Sequence, residues 1–375
     1  MYAALRTHDP VHHVVAGDYW VLSRFDDVFA ASRDHTTFSS AQGLTFNYGD
    51  MAQAGLDQVR PMVMLDPPEH TGFRRLVGAG FTPRQVDDIE PEVRAFVVER
   101  IERLRERGSG DVVAEVFKPL PSMVVAHYLG VPKADRVRFD AWTEAIVAAT
   151  AEGNPLGAPH AVGELFEYFS GLIEQRRSHP EKDTISLLVG TGADDVSVLQ
   201  TLGFAFTMVT GGNDTTTGLL GGAAELLTSS PDQRKLLIDD PGRIRTAVEE
   251  LLRLTTPVQG LARMTTTDVE IAGRTIPADR KVMLLYAAAN RDTDRFGDDA
   301  ERLDVARDPH PILSFGYGAH HCLGAAAARL QARVTLEELL ARCPRFRVDA
   351  EHGRFAPGHF VRRYQTLPFE SEGLG

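Results

Sequence analysis

The chain has 375 residues, of which 43% are hydrophobic and 25% are charged, an ordinary globular composition that allows one large domain or two smaller ones. Its formal net charge of −12 argues against non-specific binding to nucleic acid, and its two cysteines exclude a disulfide framework and favour the cytoplasm. No stretch reaches the ~20 apolar residues of a membrane span, and residues 1–10 predict a short helix and no signal peptide.

A β-hairpin is predicted near the N-terminus. Residues 11–15 and 19–22 are rich in β-forming side chains, and the Ala-Gly-Asp tripeptide between them suits a turn. A short helix is predicted next, over residues 26–33.

The segment that follows, residues 39–61, shows neither helical nor strand periodicity. It mixes glycines with the large apolar side chains of Leu44, Phe46 and Met51. On the residues alone these features predict a surface loop.

Two consecutive prolines, Pro67 and Pro68, predict a turn followed by a helix that runs to about Gly80. In that helix His70 and Arg74 are four residues apart and therefore share one face. Taken alone, such a pair is most often a solvated surface feature.

Strong helical signals occupy the middle of the chain. Residues 84–107 predict one amphipathic helix, because apolar side chains recur with the helical period up to the glycines that follow. Further helices are predicted over residues 122–129, 134–151 and 160–177. The Gly- and Pro-containing stretch 152–159 predicts a helix-helix connection.

One long helix is predicted over residues 198–229, ending before Pro231. Its middle reads Gly-Gly-Asn-Asp-Thr-Thr-Thr from Gly211, and each Gly costs ~1 kcal/mol relative to Ala in a helix. The residues that share its most apolar face are Phe204, Met208, Gly212, Thr215 and Leu219.

Two interpretations of this helix stay open on the residues alone. One is a weak helix broken at the glycines. The other is a notch at Gly212 against which a flat group lies, with the Thr215 hydroxyl presented to it and Asp214 alongside.

A shorter helix is predicted over residues 245–255. Within it Arg253 can pair with Glu250 at i, i+3 or with Glu249 at i, i+4, and spacing alone does not choose between them.

The last third of the chain predicts strands around one helix. Residues 258–285 alternate as strands do, with turns near Gly273 and Pro277. A helix is predicted over residues 323–340, and residues 346–369 predict a closing β-hairpin with Phe360 near its tip.

The loop before that last helix reads Phe-Gly-Tyr-Gly-Ala-His-His-Cys-Leu-Gly from Phe315 to Gly324. Glycines let a backbone approach a bulky group closely. A cysteine just ahead of a helix meets unpaired N–H donors and the positive end of the helix dipole, both of which favour a thiolate. A thiolate offered from a tight loop suits a nucleophile or a single axial ligand to iron.

Other interpretations of Cys322 compete with this one. A lone cysteine is most often a small buried hydrophobe, which is how we interpret Cys343. His320, His321 and Cys322 are adjacent and cannot easily surround one tetrahedral zinc ion. The sequence has no Cys-x-x-Cys-His, Gly-x-Ser-x-Gly or Gly-x-x-x-x-Gly-Lys motif, so covalent haem attachment and the commonest hydrolase and nucleotide-binding sites are not indicated.

Four of these features resemble the motifs of the cytochrome P-450 superfamily, the haem-thiolate monooxygenases, and they occur in the same order. They are the pair His70 and Arg74, the Gly-Gly-x-Asp-Thr stretch, the pair Glu250 and Arg253, and the Phe-x-x-Gly-x-x-x-Cys-x-Gly loop. The runs Pro-Val-His-His-Val, Asp-Pro-Pro-Glu-His-Thr and Ala-His-His-Cys-Leu-Gly-Ala-Ala-Ala-Ala-Arg resemble the actinobacterial family numbered one hundred and thirty.

The resemblance covers nearly the whole chain and implies one domain, residues 1–375. The implied fold is mainly α with small β-sheets (α+β), a triangular helical prism in which haem lies between the long central helix and the helix after the Cys loop. The β-rich parts are expected at about 10–25, 258–286 and 345–369. The chain is similar to the soluble bacterial type, which has no membrane anchor.

The resemblance also assigns roles to residues. It implies haem b as the cofactor, with the Cys322 thiolate as its metal ligand, and Asp214 and Thr215 as the residues that deliver protons. The implied cofactor-binding residues are His70, Arg74, Gly211, Gly212, Arg263, Phe315, Gly318, His320, Cys322 and Gly324. The implied structural residues are Glu250, Arg253 and Arg302. The expected substrate pocket is Leu44, Phe46, Met208, Val209, Val258, Leu261 and Phe360.

The activity implied is insertion of one oxygen atom from O2 into a hydrophobic small molecule, by hydroxylation or oxidative dealkylation. Electrons must come from another protein because no flavin or nicotinamide site is indicated, so ferredoxin and ferredoxin reductase are the implied partners. The expected docking surface is a basic patch of Arg74, Arg75, Arg329 and Arg333. No nucleic-acid partner is expected.

Two alternatives remain at this stage. Peroxide-driven oxygenation or nitric oxide reduction is a different haem chemistry on the same fold, and the intact Asp214-Thr215 pair argues against it. A haem-binding sensor without turnover would not need that pair.

Overall fold

The computed structural model describes residues 1–49, 60–151, 157–190 and 196–371. Met51 and residues 152–156 of the predicted helix-helix connection lie outside these ranges. The α-helices of the described residues are α1 Tyr2–His8, α2 Phe25–Arg33, α3 Glu69–Gly78, α4 Pro83–Asp88, α5 Glu90–Arg107, α6 Pro119–Tyr128, α7 Arg136–Ala151, α8 Pro159–Ser178, α9 Thr184–Gly190, α10 Val198–Ser229, α11 Pro231–Asp239, α12 Ile244–Thr255, α13 Tyr286–Ala289, α14 Thr293–Phe296 and α15 Ala325–Arg342.

The strands are short and lie in small sheets, as predicted for a mainly α fold. They are β1 Val11–Val14, β2 Tyr19–Leu22, β3 Phe38–Ser39, β4 Ser109–Asp111, β5 Leu261–Thr265, β6 Val269–Ile271, β7 Arg274–Ile276, β8 Lys281–Leu284, β9 Arg347–Val348, β10 Arg354–Phe355, β11 Tyr364–Thr366 and β12 Pro368–Glu370. Strands β3 and β4 fall outside the three β-rich parts that were predicted.

The predicted N-terminal hairpin is confirmed. Strands β1 and β2 pair antiparallel, with Val11 opposite Leu22, and Asp18 takes a left-handed φ of 49° in the turn. The hairpin belongs to a five-stranded sheet of order β1-β2-β8-β5-β3, in which β2 and β8 run parallel. This sheet brings residues near positions 20, 40 and 261 of the chain together.

The helix predicted over residues 84–107 is two helices, α4 and α5, interrupted at Ile89. Pro91 lies in the first turn of α5 and has no N–H to donate to the carbonyl one turn earlier. The interruption therefore follows from proline chemistry, which the hydrophobic period of the segment does not reveal.

Helix α10 runs through the protein core. Its start is fixed by Ser197, which accepts a hydrogen bond from the Gln200 N–H (3.1 Å), while the Gln200 side chain accepts one from the Ser197 N–H (2.9 Å). Its neighbours include α6, α7, α12 and α15. The predicted bounds of 198–229 are confirmed, and the run of glycines and threonines does not interrupt the helix.

Helix α15, which follows the Cys loop, is held against α5 by a network of ion pairs. Arg94 contacts Glu90 and Glu337 at 2.7 Å each and also contacts Glu338, and Arg333 contacts Glu90 at 2.5 Å. Hydrogen bonds from Arg333 and Arg94 lower the pKa of Glu90 to about 2. The network fixes the helix that carries the Cys loop at its N-terminus.

The C-terminal region contains more strand pairings than the predicted hairpin. Strands β10 and β11 form a short antiparallel pair, whereas β12 pairs with both β9 and β4. A further extended segment, residues 360–363, lies beside residues 257–259: Gln259 N–H donates to the Phe360 carbonyl, Arg362 N–H donates to the Pro257 carbonyl, and each bond is 2.8 Å long. We name residues 360–363 the distal segment.

Among the helices of the described residues, none is both long enough and apolar enough to cross a bilayer.

Candidate active site

The central part of α10 is stabilised by tertiary burial and by local hydrogen bonds. The Thr215 Oγ1 donates to the Gly211 carbonyl (2.9 Å), and Thr217 Oγ1 donates to the Asn213 carbonyl (3.0 Å). Asn213 is 4% exposed and Thr217 1%. Packing of this kind overrides the poor helix propensity of the Gly-Gly-Thr sequence.

One face of α10 is open between buried turns. Gly211 is exposed, a Cβ added to it would meet no atom within 4 Å, and Met208 and Thr215 one turn to either side are partly exposed. A side chain other than hydrogen at Gly211 would narrow this opening. Gly211 and Thr215 together therefore make the notch that was predicted for this helix.

The placement of the notch at Gly212 is wrong. A Cβ at Gly212 would lie 2.7 Å from Val125 Cγ2 on α6, so this glycine is needed for helix-helix packing and does not make the opening. The predicted pocket residue Val209 is likewise 0% exposed and belongs to the hydrophobic core. Both corrections depend on packing against other elements, which the sequence alone does not reveal.

Asp214 points away from the open face and into a buried ion pair. Its Oδ1 lies 2.5 Å from Arg363 Nε, and both residues are less than 9% exposed. Burial raises the pKa of Asp214, whereas Arg363 and, at longer range, Lys118 lower it. The effect of burial is the larger one, so the pKa of Asp214 lies above its ordinary value.

The Cys loop has the tight backbone that its glycines predicted. Gly316 and Gly318 have left-handed φ values of 63° and 73°, and a Cβ at Gly318 would lie 2.6 Å from the Ser32 carbonyl oxygen on α2. The Cys322 N–H donates to the Phe315 carbonyl (2.9 Å), which closes the loop and points the cysteine out of its own turn.

The Cys322 thiol keeps accessible surface although protein surrounds it on most sides. Burial raises its pKa, and a hydrogen bond from the Gly324 backbone and the charges of Arg74 and Arg329 only oppose that effect. The thiolate predicted from the loop alone is therefore not favoured by the protein surroundings on balance. A further positive charge, such as a metal ion, would stabilise it.

Four predicted cofactor-binding residues converge next to this loop. The rings of His70 and His320 are 4.2 Å apart, the Arg74 guanidinium donates to the His321 carbonyl (2.5 Å), and Arg263 donates to its own strand at Ala262 (2.8 Å). Burial, with Arg263 and His70 nearby, lowers the pKa of His320 to about 3, and burial with Arg74 lowers that of His70. The arginines therefore carry the positive charge, and the imidazoles act as neutral donors.

These residues fit a haem. In the described part of the chain neither Arg74 nor Arg263 forms an ion pair with a carboxylate, and the buried Nδ1 of His70 has no hydrogen-bond partner. Buried cations and donors of this kind require anions, which haem propionates would supply. Gly324 has no atom within 4 Å of an added Cβ, so space is also open beside the residue that follows the Cys322–Leu323 pair.

The choice between Glu249 and Glu250 is settled by distances. Arg253 donates to both carboxylate oxygens of Glu250 (2.7 and 2.8 Å), and both residues are 0% exposed. Glu249 instead accepts two hydrogen bonds from Arg329 (2.5 and 3.0 Å).

The assignment of Arg302 as the third member of this group is wrong. Arg302 is exposed, and Arg307 contacts Glu250 at 3.3 Å and Asp299 at 2.9 Å while donating to the Phe296 carbonyl (2.7 Å). Arg307 stands five residues later, directly before the Asp-Pro dipeptide, and only the path of the loop decides which arginine turns inward.

The other predicted pocket residues come from three separate parts of the fold. The Phe46 ring lies 5.8 Å from Phe360, and the Leu44 carbonyl accepts from Ala262 N–H (2.8 Å), beside Leu261. Val258 pairs with Val361 in an isolated β-bridge. The side chains that remain partly exposed are Leu44, Phe46, Met208, Val258, Leu261 and Phe360. They are all apolar, as a site for a hydrophobic molecule requires.

Sequence reasoning missed several residues that support the site. Asp66 accepts from the Ser39 hydroxyl (2.5 Å) and the Ser40 N–H (2.9 Å), and the Ser40 hydroxyl lies 3.2 Å from His320 Nε2. Arg363 was missed because no spacing relates it to Asp214. Asp66 could have been found, because it is the first residue of the Asp-Pro-Pro-Glu-His-Thr run, in which only the histidine was assigned a role.

Comparison with known proteins gave a family and close relatives. The family model described as Cytochrome P450 matches residues 244–356. Cytochrome P450 130 of Mycobacterium tuberculosis is 61% identical over 379 residues, covering 98% of this chain and 94% of its own. Vitamin D(3) 25-hydroxylase of Pseudonocardia autotrophica is 37% identical over 350 residues, covering 92% of this chain and 85% of its own.

Solved structures give the same result for the fold. The structure of cytochrome P450 CYP109Q5 from Chondromyces apiculatus is similar with a TM-score of 0.88 and 34% identity, covering 99% of this chain and 94% of that one.

Proposed function

The chain belongs to the cytochrome P450 family and is a haem-thiolate monooxygenase, and from that premise we propose that it oxidises a hydrophobic small molecule with electrons from ferredoxin. The observation that carries the proposal is the convergence of one accessible thiol, buried cationic donors and the open Gly211–Thr215 face, next to apolar side chains. We further propose that residues 1–375 form one domain, supported by the pairing of β4 with β12 across most of the chain. A cytoplasmic location is supported by two unpaired cysteines.

Each part of the site has a defined task in this proposal. Cys322 would hold the haem iron, and His70, Arg74, Arg263 and His320 would hold its propionates. When bound, a haem with a cysteine axial ligand supplies the activation of O2 and the transfer of one oxygen atom to carbon. The protein supplies binding, water exclusion and protons.

Proton delivery is assigned to Thr215 and Asp214. The Thr215 hydroxyl lies on the open face and donates to the Gly211 carbonyl, so it can turn toward a molecule in the notch. Asp214, the preceding residue of the helix, faces the buried side, where it pairs with Arg363. Two protons must reach the oxygen atom that leaves as water.

Thr215→Ala is expected to uncouple the enzyme. The variant should bind haem and substrate normally, because Thr215 is partly exposed and its side chain makes one hydrogen bond. Product formed per electron pair should fall by ~10-fold or more while peroxide rises, because positioned proton donors contribute ~10²–10⁴ in rate. Thr215→Ser keeps the hydroxyl and should stay coupled. Thr210→Ala, which removes an equivalent bond to Phe206 on the same helix, is the control. Unchanged coupling in Thr215→Ala would refute the relay.

The substrate class is proposed from the pocket. The rings of Phe46 and Phe360 pack against each other, and Leu44, Met208, Val258 and Leu261 add aliphatic surface. Lipids, polyketides, terpenes and drug-like amines share the apolar shape that such surfaces bind. A library of these classes, screened by the change in haem spin state on binding, would identify the substrate.

Of the four arginines proposed for ferredoxin docking, three are engaged in contacts within the protein. Arg329 is paired with Glu249, Arg333 with Glu90, and Arg74 is half-buried against the Cys loop. Arg75, next to Arg74 on α3, is exposed and makes no ion pair with a described residue. We therefore place the main contact with an acidic ferredoxin at Arg75.

Electron supply can be tested by comparing routes. Ferredoxin with its reductase should support faster turnover than peroxide, and raising the salt concentration should slow reduction because exposed charges are screened within ~10 Å at 0.1 M. Arg75→Glu should slow reduction and weaken the salt effect, whereas Arg138→Glu, on α7, should do neither. Faster turnover with peroxide would favour the peroxide-driven alternative. A reduction rate that changes neither with salt concentration nor in Arg75→Glu would exclude this docking surface.

A further inference from the structure

The ion pair between Asp214 and Arg363 joins two distant parts of the chain. Asp214 lies in the middle of α10, and Arg363 is the last residue of the distal segment, residues 360–363. Their charged atoms are 2.5 Å apart and nearly excluded from solvent. A buried carboxylate depends on such a partner, because removing one member of a buried pair leaves the other uncompensated.

The distal segment approaches α10 as closely as its backbone allows. A Cβ at Gly218, one turn after Asp214, would lie 2.6 Å from the Arg362 carbonyl oxygen and 3.4 Å from Arg363 Cβ. Glycine at position 218 is therefore what lets the segment lie against the helix. Its backbone is also held by the two hydrogen bonds to Pro257 and Gln259 and by one from the Ala356 N–H to the Arg363 carbonyl (3.0 Å).

The same segment forms part of the proposed substrate pocket. Phe360, at its start, contacts Phe46 across the pocket at a ring-centroid distance of 5.8 Å. Arg363 is three positions after Phe360, which in an extended backbone is about 10 Å. A displacement of the segment by a bound molecule would therefore move both residues.

We propose that Arg363 is a positioning residue for proton delivery, and that the distal segment transmits substrate contact at Phe360 to the Asp214 carboxylate. The inference rests on the proposed monooxygenase function and adds to it a link between pocket and relay. With Arg363 in place, its charge opposes the effect of burial and favours the anionic carboxylate. When the segment shifts, the carboxylate takes up a proton from solvent and can release it toward Thr215, so no oxidant or reductant enters this step.

Of the charged groups that act on Asp214, Arg363 is the one whose loss should change the pKa of Asp214. Arg363 and Lys118 are the groups that act on its charge in the described structure. The Lys118 ammonium is already bound to Glu144 at 2.6 Å. Burial raises the pKa of Asp214, so loss of the Arg363 charge should raise it further and extend the protonated form to higher pH.

The test compares Arg363→Met, Arg363→Lys and the neighbouring control Arg362→Met in the holoenzyme. The Arg362 guanidinium lies 4.3 Å from the Phe355 ring, so its removal leaves Asp214 untouched. Two readouts are used. One is the pH dependence of product formed per electron pair; the other, without turnover, is the infrared band of the protonated Asp214 carboxyl, assigned by its loss in Asp214→Asn.

In Arg363→Met the infrared band should persist to higher pH, and coupling at neutral pH should fall by roughly 3- to 10-fold, a part of the ~10²–10⁴ attributable to a proton donor. Arg363→Lys should restore most of the infrared profile and most of the coupling of the parent, and Arg362→Met should resemble the parent. If Arg363→Met does not fold, the neutral, polar Arg363→Gln takes its place: an infrared band that persists to higher pH upholds the proposal, and an unchanged one rejects it.

Two further results separate this inference from the function on which it rests. In the Asp214→Asn background, Arg363→Met should cause no additional loss of coupling, and an additive loss would mean that Arg363 acts only through the fold. Addition of substrate should shift the infrared profile of the parent enzyme but not that of Phe360→Ala; equal shifts would reject the link to the pocket. Failure of the parent enzyme to form product would reject the monooxygenase function itself.

Discussion

Replacing Cys322 by serine is expected to abolish the strongly red-shifted Soret band of the dithionite-reduced protein under carbon monoxide, and product formation with it. The thiolate is the ligand whose electron donation favours O–O cleavage, and an alcohol cannot replace that donation. The surrounding loop offers no second thiol, because Cys343 lies beyond the far end of α15. The loss of activity should be complete within detection.

Cys343→Ser is the matched control for this result. Cys343 is 3% exposed, and burial raises the pKa of its thiol to about 11, so it is inert as a ligand at neutral pH. The variant should lose about 1–2 kcal/mol of stability from burying a hydroxyl, yet keep the red-shifted band. A red-shifted band in Cys322→Ser, or its loss in Cys343→Ser alone, would contradict the ligand assignment.

Short-range features of this protein could be predicted from its sequence. The bounds of α10, the N-terminal hairpin and the position of Cys322 ahead of α15 each depend on residues close together in the chain. Local signals suffice there because capping, turn geometry and hydrophobic period act over one or two turns.

Features that depend on packing could not be predicted. Whether Gly211 or Gly212 makes the notch depends on Val125, which is distant in sequence and presses against Gly212. Arg302 and Arg307 offer the same chemistry, and only the loop path brings Arg307 to Glu250. The partner of Asp214 is Arg363, and no periodicity connects residues so far apart.

The pKa of Cys322 also depends both on local features, which the sequence shows, and on packing, which it does not. From the loop alone, a helix N-terminus favours a Cys322 thiolate. In the folded protein, burial outweighs the Gly324 hydrogen bond and the arginine charges and raises the pKa. Desolvation depends on the whole surrounding structure, so a local motif gives the ligand but not its charge state.

Replacing Arg253 by methionine is expected to prevent stable folding. The Arg253 guanidinium is 0% exposed and donates to Glu250 and to the carbonyls of Asn290 (2.7 Å) and Ala300 (2.6 Å). Its loss leaves a buried carboxylate and two buried carbonyls without their donor, and breaking a buried pair costs ~3–5 kcal/mol. That is a large share of the ~5–15 kcal/mol that stabilises a typical domain. Soluble, haem-containing yield should therefore collapse.

The two arginines at positions 302 and 307 provide graded controls. Arg307→Met removes the contacts to Glu250 and Asp299 and should cost about 1–3 kcal/mol, measured as a lower urea midpoint with an unchanged m-value. Arg302→Met changes only an exposed side chain and should stay within ~0.5 kcal/mol of the parent. The expected loss of stability decreases from Arg253 to Arg307 to Arg302, because burial and the number of contacts decrease in that order. A larger loss at Arg302 than at Arg307 would restore the sequence-based assignment and would mean that this loop takes a different path in solution.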